Sequence, residues 1–429
     1  MSEHSSKQNP QAMQAQVAQE LIREQIAGFS EQLENESVDI FSSLDRVLAQ
    51  DIISPIDVPA ANNSAMDGFA FSSIALKNFQ GNEVFLKIKD VFLAGSTAST
   101  ESNTSFNPFN DAYRIMTGAV IPKHCDTVIP QELVSIKDHQ VSFPNTAIEP
   151  FANIRLQGED LKKDSVALNA GKILRPSDLG LIASLGIGQV SVKRKLKVAF
   201  FSTGNEICSI GQTQKIGQVF DSNRYTIFGM LTRLGVELID LGIIKDDPTL
   251  LRNAFEKAIE LSDVIITSGG VSVGQADFTK QIMQELGDIN FWKLAIKPGK
   301  PMAFGKLRNQ NKESFLFGLP GNPVAVMVSF YQFVREALLL MSGAQITNLP
   351  KVQAKLSVDF KKKPGRTEFV RGLLWQDEAL NTWVTPYENQ GAGILNSMSQ
   401  AHCLIILRHD QGNISQGTSV DITIFEGLL

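Results

Sequence analysis

The chain has 429 residues, of which 43% are hydrophobic and 20% charged, and its formal net charge at pH 7 is -5. This length allows roughly three domains, each with its own core. The composition is that of a soluble globular protein. The acidic balance argues against nucleic acid as a partner, because nucleic-acid-binding proteins usually carry a basic surplus.

Cysteine and histidine usage argues against two kinds of structural site. The three cysteines are far apart and form no CxxC pair, which favours a reducing compartment and excludes a disulfide framework. The five histidines show no zinc-ligand spacing, so a structural zinc site is not expected.

The chain shows no sign of export or membrane insertion. Its polar N-terminus lacks the apolar segment of a signal peptide. The most apolar stretch, Val324 to Met341, contains Gln332, Arg335 and Glu336, which favours a buried helix over a membrane span. We therefore expect a cytoplasmic protein that does not bind membranes.

The first part of the chain predicts short elements. We expect a helix from about Val17 to Gly28 and short strands from Val38 onward. Between Ala65 and about Gly158, short apolar runs are broken by Gly, Pro, Asn and Ser, which is typical of a small β-rich domain.

The middle of the chain alternates strands with helices. The predicted strands are Leu196–Ser202, Val236–Leu241, Asp263–Thr267, Ile289–Ile296 and Phe315–Phe317. The helices between them carry apolar residues at helical spacing, which are Ile227, Phe228, Leu231 and Leu234, then Leu251, Ala254, Phe255 and Ala258, then Phe278, Ile282 and Leu286. A last helix is predicted to begin with Asn322 as N-cap and Pro323 at its first position. This alternation indicates a mostly parallel sheet covered on both faces.

From about Lys351 the hydrophobic period changes to two, as in Ala354, Leu356, Val358 and Phe360, which predicts an all-β C-terminal domain. The predicted fold class is therefore α/β plus β, with a mixed, β-rich N-terminal part. In chain order we expect a disordered tail (1–15), a discontinuous N-terminal domain (16–65 and 159–195), an inserted β-rich domain (66–158), the α/β domain (196–345) and the C-terminal β domain (346–429).

Five unusual motifs lie just past the carboxyl ends of predicted strands. They are Ser202–Glu206, Asp246–Pro248, Ser268–Gly274, Lys297–Pro301 and Gly318–Pro323. In an open parallel sheet, ligands bind in the crevice at the carboxyl ends of the strands. We therefore predict that these loops form one shared binding site.

The glycine-rich loop Gly269–Gly274 can present backbone N–H groups to an anion, and the following helix adds its dipole. It is not a P-loop, because Gly274 is not followed by Gly-Lys-Ser/Thr. Gly270–Gly274 matches the G-x-S-x-G pattern of hydrolases, but about ten residues separate Thr267 from Phe278, whereas a nucleophile elbow needs a tight turn. A plain turn and a hydrolase remain alternatives.

Basic residues cluster at the same predicted edge. Lys293 and Lys297 are four residues apart in a predicted strand, where they would share a face about 13 Å apart. Lys300 follows in the loop. Several ammonium groups at one crevice suit a substrate with more than one anionic centre, such as a pyrophosphate plus an oxyanion. The alternative is a set of solvated lysines on an edge strand.

Acidic residues occupy the same rim. Carboxylates that face a phosphate-binding loop usually indicate a hard cation such as Mg²⁺, so Glu206, Asp246 and Asp277 are candidate metal ligands. Two of them have structural alternatives. Asp277 fits the N-cap position of the next helix, and Asp246 fits turn chemistry before Asp247 and Pro248.

Seven longer motifs occur in order along the chain. They are Asn63–Phe69, Arg114–Gly118, Gly158–Asp160, Ser202–Glu206, Thr267–Gly274, Trp292–Pro301 and Gly318–Pro323. Together they closely resemble the molybdopterin molybdenumtransferase family, to which the E domain of gephyrin is related. The resemblance covers about residues 17–429.

The resemblance implies an elongated homodimer, formed through the discontinuous N-terminal domain, with composite active sites. It implies an enzyme that takes adenylyl-molybdopterin and molybdate, uses Mg²⁺, and releases molybdenum cofactor and AMP. Expected protein partners are the molybdopterin adenylyltransferase and the apo-molybdoenzymes or their chaperones.

Site residues follow from the matching motifs and from the predicted loops. The catalytic candidates are Asp67, Asp160, Glu206, Asp246, Asp277, Lys293 and Lys297. The candidates for binding pyrophosphate, pterin or molybdate are Thr203, Gly204, Ser268, Gly269, Gly270, Ser272, Gly274, Pro298, Lys300, Gly318, Pro320, Gly321, Asn322, Arg371 and Ser397.

Two positions depart from the family pattern. Asn205 stands where many relatives are acidic, so a metal role rests on Glu206. His402 stands where asparagine is more usual, which puts the pterin contacts of the last domain in doubt. Adenylylation of molybdopterin is the nearest alternative function, but the domains that flank residues 196–345 favour insertion. A receptor-clustering scaffold of the gephyrin type is an alternative of another class, although no receptor-specific feature is recognisable.

Overall fold

The N-terminal part of the chain is built from short strands and one long helix. The computed structural model describes residues 12–79, 82–95, 105–270, 278–346 and 352–425. The first elements are helices α1 (Ala15–Ile26) and α2 (Phe29–Gln32), strands β1 (Asn35–Asp39), β2 (Ile52–Ile53) and β3 (Asn63–Ser64), and a 3₁₀ helix at Ile40–Ser42.

Helix α1 begins earlier than predicted. Its buried face, Ala15, Ala18, Ile22 and Ile26, packs into the core of the α/β domain. Met13 forms a parallel bridge with Leu294. The predicted disordered tail is therefore wrong for residues 12–15, because tertiary contacts order them, while residues 1–11 lie outside the described residues.

An inserted six-stranded sheet follows, with strand order β7-β4-β6-β5-β9-β8. Its elements are β4 (Gly68–Phe71), α3 (Ile74–Asn78), β5 (Glu83–Phe92), β6 (Asp111–Ile115), β7 (Thr127–Pro130), β8 (Ser135–Lys137) and β9 (Gln140–Pro144), with 3₁₀ helices at Gln131–Leu133 and Asn145–Ala147. Separate clusters of buried side chains, around Phe71 and around Tyr113, lie on this sheet. A β-rich insertion is what the broken apolar runs predict.

The chain then returns to pair with its first strands. The returning elements are β10 (Ile154–Arg155), β11 (Val166–Leu168), α4 (Pro176–Ser184) and β12 (Gln189–Lys193). Strand β12 pairs with β1, β11 with β2 and β10 with β3, all antiparallel. Segments more than 80 residues apart in sequence are thus joined by strand pairing, with the inserted sheet between them.

The α/β domain contains a six-stranded sheet of order β16-β13-β17-β21-β20-β18. Its elements are β13 (Lys197–Thr203), β14 (Ile207–Cys208), β15 (Val219–Phe220), α5 (Ser222–Arg233), β16 (Glu237–Ile244), α6 (Pro248–Leu261), β17 (Val264–Ser268), α7 (Phe278–Leu286), β18 (Gly287–Lys293), β19 (Ile296–Lys297), β20 (Pro301–Arg308), β21 (Glu313–Leu319), α8 (Pro323–Ser329), a π-helical turn (Phe330–Val334) and α9 (Arg335–Met341).

Four neighbouring strands of this sheet, β16, β13, β17 and β21, run parallel. Strand β20 pairs antiparallel with β21, and β18 pairs antiparallel with β20, so β18 runs in the same direction as the four parallel strands. The prediction of a mostly parallel sheet is confirmed. Strand β20 is absent from the sequence-based prediction. The helical run Pro323–Met341 is long and apolar enough to cross a membrane by composition, but its buried residues belong to the protein core, as predicted.

The C-terminal strands close into a barrel. They are β22 (Val352–Leu356), β23 (Thr367–Gln376), β24 (Thr382–Pro386), β25 (Cys403–Leu407) and β26 (Ser419–Ile424), with helix α10 (Leu395–Gln400) before β25. Strand β23 pairs with both β24 and β25, which closes the ring, and β19 of the α/β domain joins β23 from outside. The predicted fold class, α/β plus β with an all-β C-terminal domain, is confirmed.

Candidate functional site

All five predicted loops meet at one cleft of about 1030 Å³ along the carboxyl edge of the parallel strands. Its walls also include residues from the barrel domain. The predicted site residues that line it are Thr203, Gly204, Glu206, Asp246, Ser268, Gly269, Gly270, Lys297, Pro298, Lys300, Pro320, Gly321 and Asn322. The structure thus brings these residues together at the sheet edge where the topological rule predicts a binding site.

The loops after β13 and β17 approach each other closely. A Cβ atom on Gly269 would lie 2.6 Å from the carbonyl oxygen of Thr203, and the Gly269 φ of +93° also favours glycine. Only glycine permits this approach. The close packing brings the glycine-rich loop against the loop that carries Glu206.

Two carboxylates lie on this wall of the cleft. Asp246 Oδ1 accepts a hydrogen bond of 2.8 Å from Thr203 Oγ1. The Glu206 carboxylate oxygens lie 2.7 and 2.8 Å from the position that a Cβ would take on Gly204. Asp247 is the N-cap of α6 and accepts from two backbone N–H groups, so the structural turn role falls to Asp247 and leaves Asp246 at the cleft.

Lysines form the opposite wall. Lys297 and Lys300 line the cleft, and Lys297 Nζ lies 3.1 Å from Glu368 Oε2 of the barrel strand β23. The Lys297 side chain is 49% exposed, whereas that of Glu368 is 5% exposed. The barrel therefore supplies the partner that orients a cleft lysine.

The predicted continuous strand Ile289–Ile296 is wrong. Strand β18 ends at Lys293, and β19, which contains Lys297, belongs to the barrel sheet. The chain leaves one sheet for the other at Leu294 and Ala295, both buried. Lys293 and Lys297 therefore do not share a strand face, and Lys293 does not line the cleft.

The structure also reveals polar residues at the cleft that sequence reasoning missed. Asp221 Oδ1 accepts from Ser202 Oγ at 2.9 Å, while Asp221 Oδ2 is buried with no partner among the described residues. Asn223 donates to Ser268 Oγ and Gly321 O, while its Oδ1 is likewise buried without a partner. In the sequence, these two residues appear only as part of an Asp-Ser-Asn run before a helix, and this pattern predicts an ordinary helix N-cap.

Ser329 is a third buried group of this kind. A Cβ on Gly299 would lie 2.9 Å from Ser329 Oγ, so the hydroxyl lies directly under the lysine-bearing loop. Ser329 Oγ is buried and has no partner among the described residues. Buried polar atoms are nearly always hydrogen-bonded, so each exception needs an explanation. Asp221 and Asn223 line the cleft and Ser329 lies beneath its Gly299 loop, so a polar ligand in the cleft is a physical reason for polar atoms without protein partners at this place.

The barrel domain closes one end of the cleft with the loop Gln390–Gly393. Arg371 and Ser397 lie behind this loop and do not line the cleft. Arg371 is 1% exposed and donates to Ser397 Oγ, Asn389 O and Gly391 O. Burial lowers the pKa of Arg371 to about 10. Both residues therefore hold the wall of the cleft in this structure instead of touching its interior.

The remaining predicted site residues lie elsewhere. Asp67 precedes β4 of the inserted sheet, where Thr117 donates to it through both its N–H and its hydroxyl and lowers the Asp67 pKa. Asp160 is exposed beside Val58. Gly318 is a buried residue of β21. Asp277, Ser272 and Gly274 lie outside the described residues.

The two departures from the family pattern have different surroundings. The Asn205 side chain accepts a hydrogen bond from the Asp246 N–H at 3.3 Å, so it supports the carboxylate wall. His402 Nδ1 contacts the backbone of Leu374 on the barrel, and His402 does not line the cleft.

The fold and the cleft define a class of protein: a multi-domain α/β enzyme whose site, between a parallel sheet and a barrel, suits a polyanionic ligand. Family profiles support this class in more detail. Residues 13–186 match the MoeA N-terminal region (domains I and II), residues 199–339 match a probable molybdopterin binding domain, and residues 353–425 match the MoeA C-terminal region (domain IV).

Curated proteins and solved structures agree. The chain is 41% identical to the molybdopterin molybdenumtransferase of Haemophilus influenzae, over 92% of this chain and 95% of that protein. Its identity to the Nostoc enzyme of the same name is 32%, over 91% and 88%. The crystal structure of the molybdopterin biosynthesis MoeA protein from Pyrococcus horikoshii superimposes with a TM-score of 0.78 at 28% identity, over 97% of this chain and all of that one. The chain belongs to the molybdopterin molybdenumtransferase family.

Proposed function

We propose that the chain transfers molybdenum from molybdate into adenylyl-molybdopterin and releases molybdenum cofactor and AMP. Family membership supports an enzyme of molybdenum cofactor biosynthesis. The observation that carries the finer proposal is the cleft itself, with lysines on one wall, carboxylates on the other, and Asp221 and Asn223, each with an unpartnered polar atom, in its lining. Its volume of about 1030 Å³ suits a ligand with two heterocycles.

The lysine wall is the proposed oxyanion site. Lys297 and Lys300 line the cleft and can each donate charge-assisted hydrogen bonds to molybdate. On the other side of the cleft, Gly270 of the glycine-rich loop is the proposed contact for the phosphate oxygens, because the Gly269 N–H already donates to Leu319 O at 3.1 Å. The two kinds of anion are thereby held at separate places in one cleft.

The residues on the carboxylate wall fit a Mg²⁺ ion. Glu206 and Asp246 offer hard oxygen ligands on either side of the Thr203–Gly204 turn. Among the described residues no three acidic, His or Cys side chains form a metal cluster. Mg²⁺ commonly takes only one or two carboxylates and fills its shell with water and phosphate oxygens. The ion would neutralise pyrophosphate charge, and Asp277 is the further proposed ligand.

Insertion and adenylylation can be separated by one pair of assays. Purified protein is supplied either with molybdopterin and ATP, or with adenylyl-molybdopterin and molybdate. We expect AMP release and active cofactor in the second assay only, because barrel residues complete the cleft wall at Gln390–Gly393. Adenylylation in the first assay without insertion in the second would refute the proposal.

We also propose that the protein acts as a cytoplasmic homodimer with composite sites. Asp67 does not line the cleft of its own chain, yet its motif resembles that of the family. A C₂ dimer can bring Asp67 of one subunit to the cleft of the other and so create two equivalent sites. The adenylyltransferase would supply the substrate, and apo-molybdoenzymes or their chaperones would receive the product.

The dimer proposal is tested by complementation. Asp67→Ala and Lys297→Ala homodimers should each be nearly inactive. When equal amounts are unfolded and refolded together, half of the dimers are mixed, and each has one intact site, so activity should recover to about a quarter of wild type. If mixed dimers form and activity does not rise above that of the separately refolded variants, Asp67 serves its own chain.

A further inference from the structure

Met13, near the N-terminus of the described chain, forms backbone hydrogen bonds with the segment that carries Lys293 and Lys297. Met13 N donates to Lys293 O at 2.9 Å, and Ala295 N donates to Met13 O at 2.6 Å. These bonds form the parallel bridge between Met13 and Leu294. They fall at the point where the chain leaves β18 for β19.

The other side of the same segment is fixed by different contacts. Leu294 N donates to Lys300 O at 2.7 Å, and Thr367 N of the barrel donates to Ala295 O at 2.9 Å. The backbone between Lys293 and Lys297 is thus held between the N-terminal segment, its own loop and the barrel. Without Met13, one of these three supports is missing.

Met13 is itself firmly anchored. It immediately precedes Gln14, the N-cap of α1, and the buried face of α1 shares a hydrophobic core with Leu294 and Ile296. Gln19 of α1 donates to Gln332 O. A helix of 12 residues therefore holds Met13 against the α/β domain, on the outside of the cleft wall.

We propose that Met13 is a positioning residue for the oxyanion site. Its two backbone hydrogen bonds reach Lys293 and Ala295, and through that backbone it sets where Lys297 enters the cleft. The proposed effect acts through these backbone hydrogen bonds, while the methionine side chain packs against the core that contains Leu294 and Ile296. This inference rests on the proposed role of Lys297 in binding molybdate.

The test compares two full-length variants. Met13→Pro removes the N–H that donates to Lys293 O, whereas Met13→Leu keeps both backbone bonds and an apolar side chain against the core and serves as the matched control. A second pair, released from a cleavable tag so that the chain begins at Met13 or at Gln14, differs by residue 13 alone. This pair decides the question if Met13→Pro does not fold.

Two measurements are made on each pair. In the chain that begins at Gln14, which loses both bonds, hydrogen exchange of the Ala295 N–H should be about tenfold faster, and the KM for molybdate should rise by about the same factor with a smaller change in kcat. Met13→Pro loses only the bond to Lys293 O and should change both quantities in the same direction by less. The Met13→Leu variant and the chain that begins at Met13 should match wild type in both.

The outcomes separate this inference from the proposed function. Unchanged exchange overturns the positioning role, whatever the activity. Faster exchange with an unchanged molybdate KM also overturns it, because the lysine then does not depend on the bridge. If wild type fails to insert molybdenum at all, the proposed function falls before any variant is compared.

Discussion

Replacing Lys297 with alanine should impair molybdate use more than it impairs folding. Loss of a charge-assisted contact costs about 1.5–3 kcal/mol, or about 10- to 150-fold in kcat/KM. Because the Lys297 side chain is 49% exposed, solvent screening places the expected loss near the lower end, about 10- to 30-fold. Turnover is measured at limiting molybdate with saturating adenylyl-molybdopterin. Turnover equal to that of wild type would refute the assignment of Lys297 to the oxyanion.

Lys297→Ala also removes the ion pair with Glu368, which affects stability, and substitution of Glu368 provides the control. Glu368 is 5% exposed, so Lys297→Ala leaves a buried carboxylate without this partner, at a cost of about 1 kcal/mol in the free energy of unfolding. The double variant Lys297→Ala/Glu368→Gln should recover that stability without recovering molybdate use. Glu368→Gln alone keeps the lysine charge and should leave the molybdate KM within about threefold of wild type. If the double variant regained molybdate use, the defect would belong to the unpaired carboxylate.

Three further outcomes follow from the structure. Glu206→Gln and Asp246→Asn should each raise the Mg²⁺ concentration that half-saturates activity, and full activity after exhaustive chelation would remove the metal proposal. Burial alone would raise the pKa of Asp263, but hydrogen bonds from Arg194 and a backbone N–H outweigh it and lower that pKa. Asp263 therefore stabilises the fold above its ordinary pKa of 3.8, so Asp263→Asn should cost about 2 kcal/mol in urea unfolding at pH 7 and progressively less below pH 4. Gly68→Ala should destabilise the inserted sheet by about 2 kcal/mol or more, because its Cβ would lie 2.0 Å from a backbone oxygen. Denaturant unfolding followed with a probe located in that sheet checks this.

Local patterns in the sequence were sufficient for most of the α/β domain. The apolar spacing in α6 predicts a buried face, and Leu251, Ala254, Phe255 and Ala258 are all buried. Strand ends could be placed closely enough for the topological rule to locate the cleft. Phe278 is an exception, since it is 41% exposed and lines the cleft instead of packing in the core.

Non-local pairing explains what the sequence could not predict. The apolar alternation of Leu294 and Ile296 predicts a continuing strand, but the partners of this segment are Met13 and Thr367, far away in sequence. The unpartnered oxygens of Asp221, Asn223 and Ser329 are likewise invisible in a sequence, because they depend on which groups fail to meet in three dimensions.

The two walls of the cleft are positioned by different parts of the chain, which indicates why insertion requires more than the α/β domain. The carboxylates and the glycine-rich loop are positioned by the strands of that domain, so an isolated α/β unit could hold a nucleotide. The lysine wall differs, because Lys297 belongs to a strand that pairs with the barrel and its ammonium group faces Glu368 there. Met13 supports the same segment from the N-terminal side. The part of the cleft proposed to bind molybdate therefore exists only where three parts of the chain meet, which favours insertion over adenylylation as the function of the whole protein.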